Sequence, residues 1–141
     1  MNNTNYLYSD ITDLILKAYY NVFNKLGYGF LEKVYENAMM IELKKLGMFC
    51  ERQKTIKVYY DDVQIGEYFA DIIVNDCVII ELKAMESLCP EHEAQLVNYL
   101  KATEIEVGVL LNFGKTPQHK KRVFTNDFKK LKNNDLSSNK S

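Results

Sequence analysis

The sequence predicts an α/β protein, an α+β sandwich in which helices flank a mixed central sheet of about four strands. Three patterns predict it. Apolar residues recur at helical spacing from Ile11 to Leu46, alternate every second residue through much of Lys54 to Lys83, and form an almost unbroken run from Glu106 to Phe113. With 141 residues, 47% of them hydrophobic, the chain has the size of one compact domain with a proper core. A single domain over residues 1–132 is expected, followed by a disordered polar tail over 133–141.

The first helix is expected over Ile11 to Leu26, with Ile11, Leu14, Ile15, Ala18, Val22 and Leu26 on its buried stripe and Ser9 or Asp10 as N-cap. Gly27-Tyr28-Gly29 makes a tight loop. A second helix follows over Leu31 to Leu46, its buried face supplied by Val34, Tyr35, Ala38, Ile41, Leu43 and Leu46, with Gly47 as C-terminal cap. Lys54–Tyr60 and Val63–Phe69 read as a hairpin turning at Asp61-Asp62. Together with the stretch Ile72 to Lys83 they predict a three-strand antiparallel meander whose first strand is an exposed edge. Pro90 opens a third helix near Glu91 to Ala102, with Leu96, Val97 and Leu100 inward and His92, Gln95 and Tyr99 on the adjoining stripe. Glu106–Phe113 reads as a strand buried on both faces inside the sheet.

The meander carries charge where a core should be apolar. On the strand Val78 to Lys83, Glu81 and Lys83 share one face, while Val78, Ile80 and Leu82 share the other. A three-residue loop at Asn75, Asp76 and Cys77 sets Val74 opposite Val78, Ile72 opposite Ile80 and Ala70 opposite Leu82. That register puts Asp71 opposite Glu81. A two-residue loop would instead turn Asp71 into the core as an unpaired carboxylate, which costs several kcal/mol. The register therefore gathers two carboxylates and an ammonium on one sheet face, a setting for a divalent cation with oxygen ligands.

Glu32, in the first turn of the second helix, has two readings. It complements the positive end of the helix dipole, or it is a third carboxylate aimed at Asp71 and Glu81. His92 reads as a local hydrogen-bonding residue, since imidazole suits a softer metal than Mg2+.

The net charge of −1 gives no overall pull toward polyanions, but Lys115 to Lys132 holds seven basic residues against Asp127 alone. That segment reads as a solvated surface or as a nucleic-acid contact beside the site. Cys50, Cys77 and Cys89 are odd in number and lack the paired spacing of a zinc site or a disulfide framework, so they read as reduced thiols. No apolar run approaches the roughly 18 residues of a membrane span. Met1 to Asp10 is polar, without the apolar stretch of a signal peptide. A cytoplasmic protein with no membrane partner is expected.

Gly29-Phe30-Leu31-Glu32-Lys33-Val34-Tyr35, Asp71, Glu81-Leu82-Lys83 and Gln95 with Tyr99 together resemble the GxxExxY family, a branch of the PD-(D/E)XK nuclease superfamily. The similarity runs from about Ile11 to Phe113. Many relatives carry Gly-Pro-Gly where this chain has Gly27-Tyr28-Gly29, and Ala70 stands in place of the proline before Asp71. Neither departure removes a ligand. The resemblance implies a restriction-endonuclease-like core and a Mg2+- or Mn2+-dependent nuclease acting on DNA more than RNA. It implies a catalytic set of Glu32, Asp71, Glu81, Lys83, Gln95 and Tyr99, with Glu32, Asp71, Glu81 and the Leu82 carbonyl as metal ligands. Two other classes stay open: a non-catalytic nucleic-acid-binding or regulatory domain, and a homodimeric interaction protein paired through the Lys54–Tyr60 edge.

Overall fold

A computed structural model describes residues 7–129. The elements run α1 (Ser9–Leu26), α2 (Glu32–Lys45), β1 (Cys50–Tyr60), β2 (Val63–Val74), β3 (Val78–Lys83), α3 (Pro90–Lys101), β4 (Val107–Phe113) and β5 (Pro117–Val123), closed by a 3-10 turn at Asn126–Phe128. The five strands form one sheet in the order β1-β2-β3-β4-β5. Every neighbouring pair is antiparallel except β3 and β4. A parallel pair needs a crossover, and α3 supplies it.

The predicted meander and the fully buried β4 are present. β5 is an addition to the expected four strands. Its residues Gln118, His119, Lys120, Lys121 and Arg122 carry no apolar alternation, because β5 is an edge strand whose side chains are only partly covered. The last part of the basic segment, Lys130 to Lys132, and the 133–141 tail lie outside the described residues. Phe128 is 72% exposed, whereas Val123 and Phe124 pack against the two cores.

The sheet divides the interior. On one side α1 and α2 cover Ile72, Val74, Ile80, Leu82, Val109 and Phe113; on the other, α3 covers Ile73, Ile79 and Leu110. α2 departs from its predicted face: Val34 and Ile41 are exposed, and the buried stripe is Tyr35, Glu36, Met39, Glu42 and Leu43. Two glutamates are thus drawn inward, each compensated. Glu42 meets Lys25 at 3.5 Å and Lys45 at 3.4 Å. The N-cap of α1 is Tyr8, in the left-handed region, rather than Ser9 or Asp10.

The α1–α2 loop explains part of the Gly29-to-Tyr35 motif. Gly27 and Gly29 have φ of 67° and 110°, a region costly for other residues. The buried Tyr35 hydroxyl donates to the Gly27 carbonyl at 2.7 Å and accepts the Phe30 N–H at 3.2 Å, while its ring stacks on Phe113 at 4.0 Å. Tyr35 therefore fixes the loop to the core. No described helix is long and apolar enough to cross a membrane.

Candidate active site

The β2–β3 ladder has the predicted register, pairing Val74 with Val78 and Ile72 with Ile80, and its last pair is Ile72 with Ile80. Beyond it the carboxylates take over the role of main-chain partners. The Leu82 N–H donates to Asp71 Oδ2 at 2.8 Å, and the Asp71 N–H donates to Glu81 Oε2 at 3.3 Å. The β1–β2 ladder is interrupted at the same point. Gln53, at φ 54°, falls between the pairs Arg52–Ile72 and Lys54–Ala70. The expected Ala70–Leu82 pairing is absent from the ladder; Ala70 buries on the α3 side and Leu82 on the α1–α2 side. Strand alternation slips at Asp71, and the slip opens the sheet where the two acids meet.

Desolvation dominates the electrostatics. Burial, then the Asp71 charge, pushes the Glu81 carboxyl up to about 8. Burial also raises Asp71, with Glu36 adding to the rise, while the Leu82 N–H and Lys83 oppose it. Lys83, half-buried at the end of β3, lowers Glu81 as well. Tyr99 comes from α3 and is 6% exposed; burial, followed by the charges of Glu81 and Asp71, pushes its hydroxyl to about 12. Its ring lies 5.3 Å from that of Tyr68. Gln95, one turn earlier on α3, is half-buried. His92 accepts the Cys89 N–H at 3.1 Å and serves the start of α3, the local role expected of it.

The structure thus brings Asp71, Glu81, Lys83 and Tyr99 together. Glu32 does not join them: it is exposed in the first turn of α2, and the carboxylate that approaches is Glu36, one turn on. Gln53 Nε2 donates to Glu36 Oε1 at 2.9 Å and to Asp71 Oδ1 at 3.4 Å, bridging the two acids. Lys33 at 3.3 Å and Arg52 at 3.6 Å offset the Glu36 charge. Sequence reasoning passed over Glu36, although it lies seven residues before Leu43 and three before Met39, inside the buried stripe. Gln53 had no comparable signal.

Among the described residues no group of three or more His, Cys, Asp or Glu side chains stands ready to hold a metal ion. The Glu32–Asp71–Glu81 ligand set is therefore not assembled here. The remaining donors still fit a hard cation, since Mg2+ is bound through one or two carboxylates and keeps several waters. A pair of desolvated, mutually repelling carboxylates is relieved by such an ion.

Much of the basic segment is used in holding the fold. The Lys121 ammonium donates to the Leu7 carbonyl at 2.9 Å, Lys129 donates to the carbonyls of Thr103 and Ile105 at 2.7 and 2.6 Å, and Arg122 pairs with Glu93.

Two desolvated carboxylates with a lysine two residues on along the same strand, set in a mixed sheet between helical layers, define a nuclease-type domain. The chain belongs to the PD-(D/E)XK nuclease superfamily, whose sequence model matches residues 9–124. Comparison with curated protein sequences finds no match. Among solved structures the chain is similar to the crystal structure of SSO0001, with a TM-score of 0.52 and 18% identity over 66% of this chain and 50% of that one. At that identity the likeness concerns the fold, and this chain spans about half of that protein.

Proposed function

We propose that the protein is a divalent-metal-dependent nuclease that hydrolyses phosphodiester bonds, in DNA rather than RNA, within the cytoplasm. The observation that carries this reading is the meeting of Asp71 and Glu81 at the opened ladder, with Lys83 beside them. In this reading Asp71, Glu81 and the Leu82 carbonyl hold Mg2+ or Mn2+. The bound ion supplies Lewis-acid activation of the scissile phosphate and lowers the pKa of the attacking water.

The chain's own residues do the rest. Glu81, its carboxyl raised by burial to about 8, would hold the ion as the carboxylate, its proton passing to solvent. Lys83 holds an ammonium where negative charge develops on the phosphate and orients the water. Tyr99, with its hydroxyl held near 12, stays neutral and donates a hydrogen bond rather than acting as a base. Gln95 contacts the nucleic-acid backbone. Glu36, bridged to Asp71 by Gln53, adds to the negative field at Asp71. The free β1 edge is the surface for a homodimer in this reading.

Calorimetric titration of Mg2+ and Mn2+ tests it. Binding to the wild type that is lost in Glu81→Ala supports the site. Absence of binding by the wild type turns the reading toward a non-catalytic domain of the same fold.

A further inference from the structure

Lys83 is the last residue of β3, and its register partner across the parallel ladder is Asn112 of β4. Asn112 is fully buried, and its side chain reaches past the end of the ladder. Its Oδ1 accepts the Met85 N–H at 2.9 Å, and its Nδ2 donates to the Met85 carbonyl at 2.9 Å. One amide thus takes both main-chain groups of one residue in the connection from Lys83 to α3. A primary amide offers a neutral acceptor and donor side by side, which a carboxylate or hydroxyl of that size does not.

The same connection is held at further points. The Leu88 N–H donates to Gln118 Oε1 at 3.1 Å. Gln118 is itself anchored from α1, where the Tyr19 hydroxyl accepts the Gln118 N–H at 3.1 Å and donates to the Asn112 carbonyl. Gly114 lies so close that an added Cβ would stand 2.6 Å from the Met85 carbonyl oxygen. Surface connections are usually the softer parts of a fold. This one is clamped, and it joins Lys83 to the helix that carries Gln95 and Tyr99.

We propose that Asn112 is a positioning residue: by holding Met85 it sets where the Lys83 ammonium and the Gln95–Tyr99 face of α3 stand relative to Asp71 and Glu81. The catalytic consequence rests on the nuclease reading; the positional claim does not. Asn112→Ala releases the segment from beneath, and Gly114→Ala displaces it from the neighbouring turn. In a Mn2+-dependent DNA cleavage assay, at a temperature where all proteins are folded, each is expected to lower kcat on the order of a hundredfold, the loss that follows ångström-scale misplacement. The calorimetric affinity for Mn2+ is expected to stay at the wild-type value, a separation from kcat that general loosening of the fold would not give. An independent readout is the acylation rate of each lysine mapped by mass spectrometry, in which Lys83 alone is expected to label several-fold faster in Asn112→Ala. If Asn112→Ala does not fold, Gly114→Ala carries both measurements. Wild-type kcat in the folded variants overturns the proposal. If the wild-type protein itself cleaves nothing, the nuclease reading falls and labelling decides: faster labelling of Lys83 supports positioning, and an unchanged rate overturns it.

Discussion

The main-chain N–H of Leu82 is held by the side chain of Asp71, at 2.8 Å, where a sheet would ordinarily offer a carbonyl. Asp71 therefore has two separable duties, hydrogen-bond acceptor and negative charge. Asp71→Asn keeps an acceptor and removes a charge that repels Glu81, so its apo form is expected to melt no lower than the wild type while losing metal-dependent cleavage. Asp71→Ala strands the Leu82 N–H, and a buried unsatisfied donor costs about 1–3 kcal/mol. Thermal melts of the two variants beside a cleavage assay check this.

Glu81 makes stability depend on pH in a stated direction. Its carboxyl stands at about 8 in the fold, raised by burial and then by Asp71, against about 4.3 in an unfolded chain. Between those values the folded state keeps a proton that the unfolded state has lost. The Glu81 contribution is therefore full below the unfolded value and is lost as pH rises through about 8. In EDTA, the melting temperature of the wild type relative to Glu81→Gln is expected to fall from pH 5 to pH 9. Metal acts oppositely, because it binds the ionised form, so stabilisation by Mn2+ should grow over the same range.

Glu36 and Glu32 can be told apart by paired substitutions. Glu36→Gln removes the charge that raises Asp71 and leaves Arg52 and Lys33 without their shared partner. It is expected to reduce cleavage by roughly tenfold or more, the scale of a lost electrostatic contact. Glu32→Gln alters an exposed side chain and is expected to leave both cleavage and stability near wild type. Equal losses in the two variants would restore Glu32 to the site.

Tyr35 belongs to the scaffold. Tyr35→Phe loses the bonds to Gly27 and Phe30 but keeps the stack on Phe113, and is expected to cost about 1–2 kcal/mol by denaturant unfolding with Mn2+ affinity unchanged. Ile80→Ala, on the face opposite the acids, should cost about 2–5 kcal/mol through the cavity it leaves.

The hairpin register was legible because apolar matching left one arrangement that kept Asp71 out of the core, and the ladder from Val74–Val78 to Ile72–Ile80 has that register. That the ladder stops at Ile72–Ile80, short of the expected Ala70–Leu82 pair, was not legible. The slip at Asp71 depends on the left-handed Gln53 and on carboxylates replacing carbonyls, neither of which leaves a periodic trace. β4 announced itself as an apolar run, whereas β5 did not, since an edge strand of Lys, Arg, His and Gln takes its conformation from pairing with β4. Glu36 was hidden for a related reason: hydrophobic periodicity assigns a glutamate to the solvent face, and only Lys33, Arg52 and Gln53 in three dimensions make its burial tolerable.

The most direct measurement is the rate of DNA cleavage by purified protein in Mg2+ or Mn2+, with linear, circular and single-stranded substrates, comparing the wild type with Lys83→Ala. Wild-type cleavage that EDTA abolishes, together with a Lys83→Ala protein that binds metal and does not cleave, is the predicted result, because the lysine acts on charge that exists only in the transition state. A Lys83→Ala protein that cleaves at the wild-type rate would contradict it and remove Lys83 from the site.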